Sequence, residues 1–202
     1  MTALIQAAAA EDFPAEIAVV ISNRADASGL EKARACGVPA VTIESKTFGK
    51  DRAAFEAVLQ SALDQHKIDL ICLGGFMRLF TAEFVQRWYG RMLNIHPSLL
   101  PSFPGLDPQG QALRAGVKIS GATVHFVIPE TDAGPILMQG AVAVRDDDTP
   151  ETLAERILEI EHRIYPDALR LLASGRVRLE GDICKTAGSA GSDAAFISPA
   201  IA

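Results

Sequence analysis

Cysteine is scarce in this chain, long apolar runs are missing, and basic residues form no cluster. The three cysteines, Cys36, Cys72 and Cys184, are widely spaced and include no CxxC pair. Such spacing indicates reduced thiols in a cytosol and argues against a disulfide or zinc framework. No apolar run approaches the roughly 18 residues that a membrane span needs, and the opening MTALIQAAAAEDF lacks the basic region of a signal peptide. We therefore expect a cytoplasmic protein without a membrane partner.

The overall composition is that of a soluble globular protein. Hydrophobic residues make up 49% of the 202 residues and charged residues 22%, which is a typical balance for a folded domain. A chain of this length can bury a sizeable core as one domain. The formal net charge of -6, without a basic stripe, argues against a nucleic-acid partner. The sequence leaves both a monomer and a homodimer open.

Strand-like and helix-like segments alternate along the chain. Apolar, β-branched runs predict strands at 16–22, 39–44, 68–75, 91–96, 121–127 and 135–144. Apolar residues at helical spacing predict helices at 29–37, 51–67, 82–90, 106–116 and 149–175. Pro166 should kink the last of these helices. The alternation predicts a single-domain α/β fold, an open and mostly parallel Rossmann-like sheet with helices on both faces.

The segment NIHPSLLPSFPG, residues 94–105, places polar side chains at the end of a predicted strand. Asn94 and His96 are two positions apart, so they face the same side of the strand, while Ile95 points to the opposite side. The prolines that follow restrict the turn. Ligands of open α/β sheets bind outside the carboxyl ends of the strands, so this pair is a candidate for a preorganised site.

The chemistry open to such a pair is acyl transfer or proton transfer. An Asn amide can donate to a developing oxyanion, and a His can shuttle a proton or stabilise negative charge. Asp132, after another predicted strand, could orient the His. The sequence contains no GxSxG or HExxH motif and no metal-ligand spacing, which favours direct attack by a substrate nucleophile without metal. On local features alone, a His and an Asn that merely tie down a proline loop are the more frequent case.

Three motifs resemble the glycinamide ribonucleotide formyltransferases, a branch of the folate-dependent formyltransferases. They are GGFMRLF at 74–80, NIHPSLLPSFPG at 94–105 and ATVHFVIPETDAGPIL at 122–137. The similarity runs from about residue 17 to about residue 179. Members of this family transfer the formyl group of 10-formyltetrahydrofolate to the amine of 5'-phosphoribosylglycinamide in purine biosynthesis. By the resemblance, residues 1–181 are the catalytic domain and the Gly/Ser/Ala-rich residues 182–202 a flexible tail.

The resemblance also implies roles for individual residues. Asn94, His96 and Asp132 correspond to the catalytic trio of the family. The folate site corresponds to Arg52, Met77, Arg78, Leu79, Phe80 and Asn94. Gly75 and Glu161 correspond to contacts of the ribonucleotide substrate. His125, which alternates with apolar neighbours in TVHFV, is expected to be a structural strand histidine.

Two departures from the family pattern bear on these expectations. Family members begin with a strand and a Gly/Ser/Asn loop that holds the substrate phosphate at a helix start, whereas Met1 already falls inside the segment that resembles their first helix. We therefore expect the first strand and its phosphate loop to be absent from this chain. In addition, Asp107 and Gln109 stand where many relatives carry histidines, which predicts altered loop contacts.

We consider three alternative functions, of which the hydrolase and the truncated folate-binding protein remain open from the sequence. A formyltetrahydrofolate hydrolase would use the same trio with water as the acceptor, although such relatives carry an additional regulatory domain. A methionyl-tRNA formyltransferase would need a C-terminal RNA-binding domain, for which the length leaves no room. A truncated folate-binding protein without transfer activity would keep the trio but could not seat the phosphorylated amine.

Overall fold

The computed structural model describes residues 1–188 and 196–199, in which helices and strands alternate as predicted. The helices are α1 (Thr2–Ala8), α2 (Ser28–Ala35), α3 (Arg52–Gln65), α4 (Ala82–Arg87), α5 (Pro108–Ala115) and α6 (Pro150–Ala173), with a 3-10 helix at Ser45–Phe48. The strands are β1 (Val20–Ser22), β2 (Ala40–Thr42), β3 (Ile71–Leu73), β4 (Met92–His96), β5 (Ile119–Phe126), β6 (Ile136–Ala143), β7 (Val177–Glu180) and β8 (Ile183–Thr186). This element order confirms the α/β class.

The strands pair in three groups. β1 pairs with β2 in parallel, and the central group has the order β3-β4-β5-β6. β3 and β4 are parallel, whereas β5 is antiparallel to both β4 and β6. Residues 127–135, which join β5 to β6, are fewer than the dozen or so that a parallel crossover needs. The parallel arrangement therefore gives way to antiparallel pairing beyond β4.

Strand β4 lies between two apolar clusters, one on each face of the sheet. Its Leu93 belongs to a cluster with Val124, Phe126 and the helix α6. The neighbouring Met92 belongs to a second cluster, formed mainly by α3 and α4. Because successive side chains of a strand point to opposite faces, β4 contributes to both clusters. Helices therefore cover both faces, as predicted.

Helix α6 spans the apolar face of the sheet without interruption. Thr149 and Thr152 form reciprocal capping hydrogen bonds at its start, and Pro150 occupies the first helical turn. The helix continues through Pro166 to Ala173, and the proline is buried. No helix in the part of the chain that the structure describes is both long and apolar enough to cross a membrane.

The C-terminal region begins with a hairpin. Residues 183–186, which the sequence places in the flexible tail, form β8 and pair with β7 in antiparallel register. The predicted boundary at residue 181 lies in the turn between these strands. Residues 189–195 and 200–202 of the predicted tail are outside the described residues. The division into a catalytic domain and a tail stays a prediction.

An ion pair joins the end of β6 to α6. The Asp148 carboxylate accepts hydrogen bonds from the guanidinium of Arg156 at 2.8 and 2.9 Å, and from the backbone N–H of Arg145. Arg156 also donates to the carbonyl oxygen of Ala143. The side chain of Asp148 is only 2% exposed. These hydrogen bonds, that from Arg156 foremost, hold the pKa of Asp148 well below its usual value.

We expect Asp148→Asn to lower the free energy of unfolding by about 2 kcal/mol at neutral pH, because hydrogen bonds to a charged partner are lost. A depressed folded-state pKa stabilises the fold fully above the unfolded-state pKa of about 3.9 and loses that contribution as the pH falls through the folded-state value. The difference between variant and wild type in urea denaturation should therefore shrink on acidification.

The matched control for this change is Asp146→Asn. Asp146 forms an exposed ion pair with Lys118, and its side chain is 91% exposed, so its replacement should leave the free energy of unfolding nearly unchanged. Equal losses in the two variants would contradict a stabilising role for the covered Asp148–Arg156 pair.

Candidate active site

The register of β4 and β5 gathers four polar side chains on one face of the sheet. Asn94 lies opposite His125, and His96 lies opposite Thr123. Their neighbours Leu93, Ile95, Val124 and Phe126 belong to the cluster on the other face. Paired residues of antiparallel strands share a face and lie close together. The prediction that Asn94 and His96 face the same side, with Ile95 opposite, is confirmed.

His96 is buried and has an acceptor beside each ring nitrogen. Its Nε2 lies 3.0 Å from the carbonyl oxygen of Phe103, and its Nδ1 lies 3.4 Å from Oδ2 of Asp132. A carbonyl oxygen can only accept a hydrogen bond, so Nε2 carries a proton. The carboxylate in turn favours a proton on Nδ1. A doubly protonated imidazole satisfies both contacts, which suits the ring to stabilising negative charge.

The Asp132 carboxylate connects the two histidines to the loop after β4. Its Oδ2 accepts a hydrogen bond of 2.8 Å from the backbone N–H of Gly105, in addition to the His96 contact. Its Oδ1 lies 3.8 Å from Nε2 of His125. The side chain is 10% exposed. Sequence reasoning predicted the His96–Asp132 contact, whereas the participation of His125 was missed.

The backbone around Asp132 is shaped by its own sequence, DAGP. Asp132 has a φ of 54°, a left-handed conformation that a short polar side chain tolerates. Gly134 follows where the loop lies directly against β5, and a Cβ at this position would overlap the carbonyl oxygen of Phe126. The carbonyl of Pro135 accepts from the N–H of Phe126. These contacts bring the Asp132 side chain back over the ends of β4 and β5.

The proline loop, residues 97–107, is tied to the same face by a buried hydroxyl. Oγ1 of Thr123 donates to the carbonyl of Ser98 at 2.7 Å and accepts from the N–H of Leu100. The amide of Gln139 donates to both Oγ1 of Thr123 and the carbonyl of Leu100. Thr123 is fully buried. Thr123 and Gln139 therefore hold in place the loop whose Phe103 contacts His96 and whose Gly105 contacts Asp132.

A cleft opens beside Asn94 and Asp132. Its volume is about 110 Å³, and its apolar walls are formed by Leu73, Phe76, Leu79, Phe80, Val85 and Val127. Arg78, Asn94, His125 and Asp132 also contribute to the lining. The structure thus brings Arg78, Leu79 and Phe80 of the predicted folate site together with two members of the predicted trio.

Other predicted site residues lie apart from this lining. Among the described residues, the lining does not include His96 of the predicted trio, nor Arg52, Gly75, Met77 or Glu161. Arg52 is the first residue of α3 and is exposed, and Met77 is 77% exposed. Glu161 is half-buried on α6, and this burial raises the pKa of its carboxyl. Their roles toward a folate or a ribonucleotide stay predictions.

The cleft wall, residues 76–81, is anchored at two points to the 3-10 helix and α3. The guanidinium of Arg78 donates to the carbonyls of Ser45 and Gly49, at 3.2 and 3.1 Å. The buried carboxylate of Glu56 accepts from the backbone N–H and the hydroxyl of Thr81. The Arg78 side chain therefore anchors the cleft wall to the 3-10 helix, a role that the sequence did not reveal.

In residues 1–188 and 196–199, no group of three or more His, Cys, Asp or Glu side chains is arranged to hold a metal ion. An amide donor, a buried imidazole with an acceptor at each nitrogen, and a carboxylate beside an apolar cleft together suit the stabilisation of a tetrahedral oxyanion.

We expect Thr123→Val to lower the free energy of unfolding by about 1–3 kcal/mol, because the carbonyl of Ser98 and the N–H of Leu100 lose a buried partner. Chemical denaturation measures this change. Ser120→Ala on the same strand is the control, since the Ser120 hydroxyl is buried without a hydrogen-bond partner among the described residues. A larger loss for Ser120→Ala than for Thr123→Val would refute the anchoring role of Thr123.

Comparison with known proteins agrees with this geometry. The formyl transferase family model matches residues 1–169. The chain is 48% identical over 186 residues to the trifunctional purine biosynthetic protein adenosine-3 of Bos taurus, of which it spans 18%. It is 41% identical to the phosphoribosylglycinamide formyltransferase of Bacillus subtilis, with 80% of this chain and 83% of that protein covered.

A solved structure shows the same fold. The glycinamide ribonucleotide transformylase 1 of Symbiobacterium toebii superposes with a TM-score of 0.89 at 48% sequence identity, over 92% of this chain and 87% of that chain. The chain therefore belongs to the formyl transferase family of enzymes, in which its relatives include phosphoribosylglycinamide formyltransferases.

Proposed function

We propose that this protein transfers a formyl group from 10-formyltetrahydrofolate to the primary amine of 5'-phosphoribosylglycinamide, a step of purine biosynthesis. The names of its relatives support the ribonucleotide acceptor, the family resemblance supports the folate donor, and one observation of the site carries the proposal. The buried His96 contacts Asp132 at the same strand end where Asn94 lines an apolar cleft. This arrangement supports a role for an amide donor at a space for a flat ligand, with the His96 ring two positions along the same strand face.

The reaction proceeds by direct attack of the amine. Its nitrogen forms a bond to the formyl carbon, and the carbonyl electron pair moves to oxygen. Asn94 donates a hydrogen bond to this oxyanion, and protonated His96 stabilises its charge. When the intermediate collapses, the bond from the formyl carbon to N10 of the folate breaks. Asp132 relays the proton lost by the amine to N10 through water, which yields the formylated ribonucleotide and tetrahydrofolate.

The folate occupies the cleft next to Asn94. Phe76 and Phe80 supply aromatic walls, and their ring centroids lie 4.9 Å apart in a stacked arrangement. A volume of about 110 Å³ is below the roughly 300–1,000 Å³ of pockets that bury a whole drug-sized ligand. The cleft therefore suits the pterin ring, while the remainder of the folate extends over the exposed Met77 toward Arg52.

The ribonucleotide lies on the other side of Asn94, where the resemblance places Gly75 and Glu161. Gly75 has a φ of 66° in the turn after β3, a conformation that brings backbone groups close to a ligand. Glu161 carries a carboxyl that can accept hydrogen bonds from ribose hydroxyls.

The three free cysteines support the expectation that the reaction takes place in the cytosol.

Formyl transfer from 10-formyltetrahydrofolate to 5'-phosphoribosylglycinamide, measured with the purified chain, tests the proposal. We expect turnover that falls by about 100-fold or more in Asn94→Ala and in His96→Ala, the scale of losing one oxyanion donor. Asp146→Asn, on the surface away from the cleft, is the control and should keep wild-type turnover.

The other outcomes have separate meanings. Formate release at the same rate with and without the amine would point to a hydrolase. Folate binding without any turnover would point to a binding protein. Near-normal turnover in both Asn94→Ala and His96→Ala would remove these residues from the mechanism.

Two arginines should affect folate use in different ways. Arg78→Met removes two hydrogen bonds that anchor the cleft wall, each worth about 1.5–3 kcal/mol for a charged donor, so we expect the KM for the folate to rise about tenfold and the melting temperature to fall. Arg52→Met should raise the KM by at most about fivefold, the scale of one exposed charge contact, with no change in melting temperature. The opposite order of melting temperatures would contradict the anchoring role of Arg78.

A further inference from the structure

We infer that His125 is a positioning residue of the reaction: as a neutral ring with its proton on Nδ1, it holds the amide of Asn94 so that nitrogen, not oxygen, faces the reacting carbonyl. The inference rests on the proposed function for its catalytic consequence. It concerns a residue that the alternation of TVHFV marks only as part of a strand.

The geometry around His125 fixes which ring nitrogen carries the proton. Its Nδ1 lies 3.0 Å from the carbonyl oxygen of Phe126, and this oxygen can only accept, so Nδ1 is the protonated nitrogen. Burial lowers the pKa of His125 below its usual value, and the residue is 3% exposed. A neutral ring with its proton on Nδ1 presents a lone pair at Nε2.

That lone pair determines the orientation of Asn94. The amide nitrogen of Asn94 lies 3.2 Å from Nε2 of His125, so one amide hydrogen points at the ring. If the amide were rotated by a half-turn, its oxygen would face the lone pair and lose the hydrogen bond. The second amide hydrogen then stays available on the cleft side, where the formyl oxygen would lie.

The surroundings of His125 oppose the alternative proton position. Asp132 Oδ1 lies 3.8 Å from Nε2, too far for a hydrogen bond, while His96 and Gly105 both contact the other oxygen, Oδ2. A proton on Nε2 would compete with the Asn94 contact and leave the carbonyl of Phe126 without its donor. The backbone carbonyl on one side and the Asn94 amide on the other thus select a single arrangement.

Two substitutions separate positioning from simple packing. In His125→Met, an apolar side chain that cannot accept a hydrogen bond from Asn94 fills the space. We expect kcat to fall by about 100-fold, the lower end of the loss of one oxyanion donor, with KM values within about threefold of wild type. In His125→Gln, Oε1 can take the place of Nε2 as acceptor, and we expect kcat within about tenfold of wild type.

A double-mutant cycle provides the decisive comparison. If His125 acts through Asn94, the variant Asn94→Ala/His125→Met should be no slower than Asn94→Ala alone, because the positioned group is already gone. Losses that multiply in the double variant would overturn the inference, and so would a His125→Met variant with wild-type kcat. Melting temperatures of all variants identify any that do not fold.

The ring-nitrogen NMR signals of His125 test the geometry without any turnover. In the wild-type chain labelled with ¹⁵N-histidine, with His125→Gln identifying the signal, we expect a protonated Nδ1 and an unprotonated Nε2 at neutral pH. A proton on Nε2 would overturn the inference even if His125→Met did not fold. A wild-type chain without turnover would instead contradict the proposed function, and the NMR signals would still decide the state of His125.

Discussion

The contact between the Asp132 carboxylate and His96 is the interaction on which the candidate site depends. One oxygen of Asp132, Oδ2, accepts a hydrogen bond from the backbone N–H of Gly105 and lies 3.4 Å from Nδ1 of His96. The loop between β5 and β6, the loop after β4, and the strand end that carries Asn94 are therefore joined through a single side chain that is 10% exposed. Low exposure strengthens such contacts, and it also makes each unpaired partner costly. The positions of the three predicted catalytic residues are thus interdependent.

Preorganisation extends outward from this contact through a second set of hydrogen bonds. Thr123 and Gln139 hold the proline loop, whose Phe103 carbonyl faces His96. Arg78 and Glu56 hold the cleft wall from the opposite side. Sites supported by such fixed outer contacts keep their donors in place before a ligand arrives. The side chains of the candidate site are therefore held in position in the folded protein.

The sequence predicted the α/β class, most element positions, and the shared face of Asn94 and His96, because these follow from local periodicity. It did not predict the position of His125 beside Asn94, because that depends on the register between β4 and β5, which has no local signal. The direction of the Arg78 side chain was missed for the same reason, since its partners Ser45 and Gly49 are distant in sequence. Residues 183–186 were assigned to a tail because small polar neighbours hid a short strand that forms only by pairing with β7.

The alternation of β4 and β5 divides the sheet into two faces with different tolerance to change. Leu93, Ile95, Val124 and Phe126 pack into the cluster under α6, where another apolar side chain of similar volume can often be accommodated. Asn94, His96, Thr123 and His125 on the opposite face each have a specific hydrogen-bond partner, so few other residue types can replace them. Substitutions along these two strands should therefore be tolerated mainly at every second position, where the side chains pack into the apolar cluster and the polar face is left unchanged.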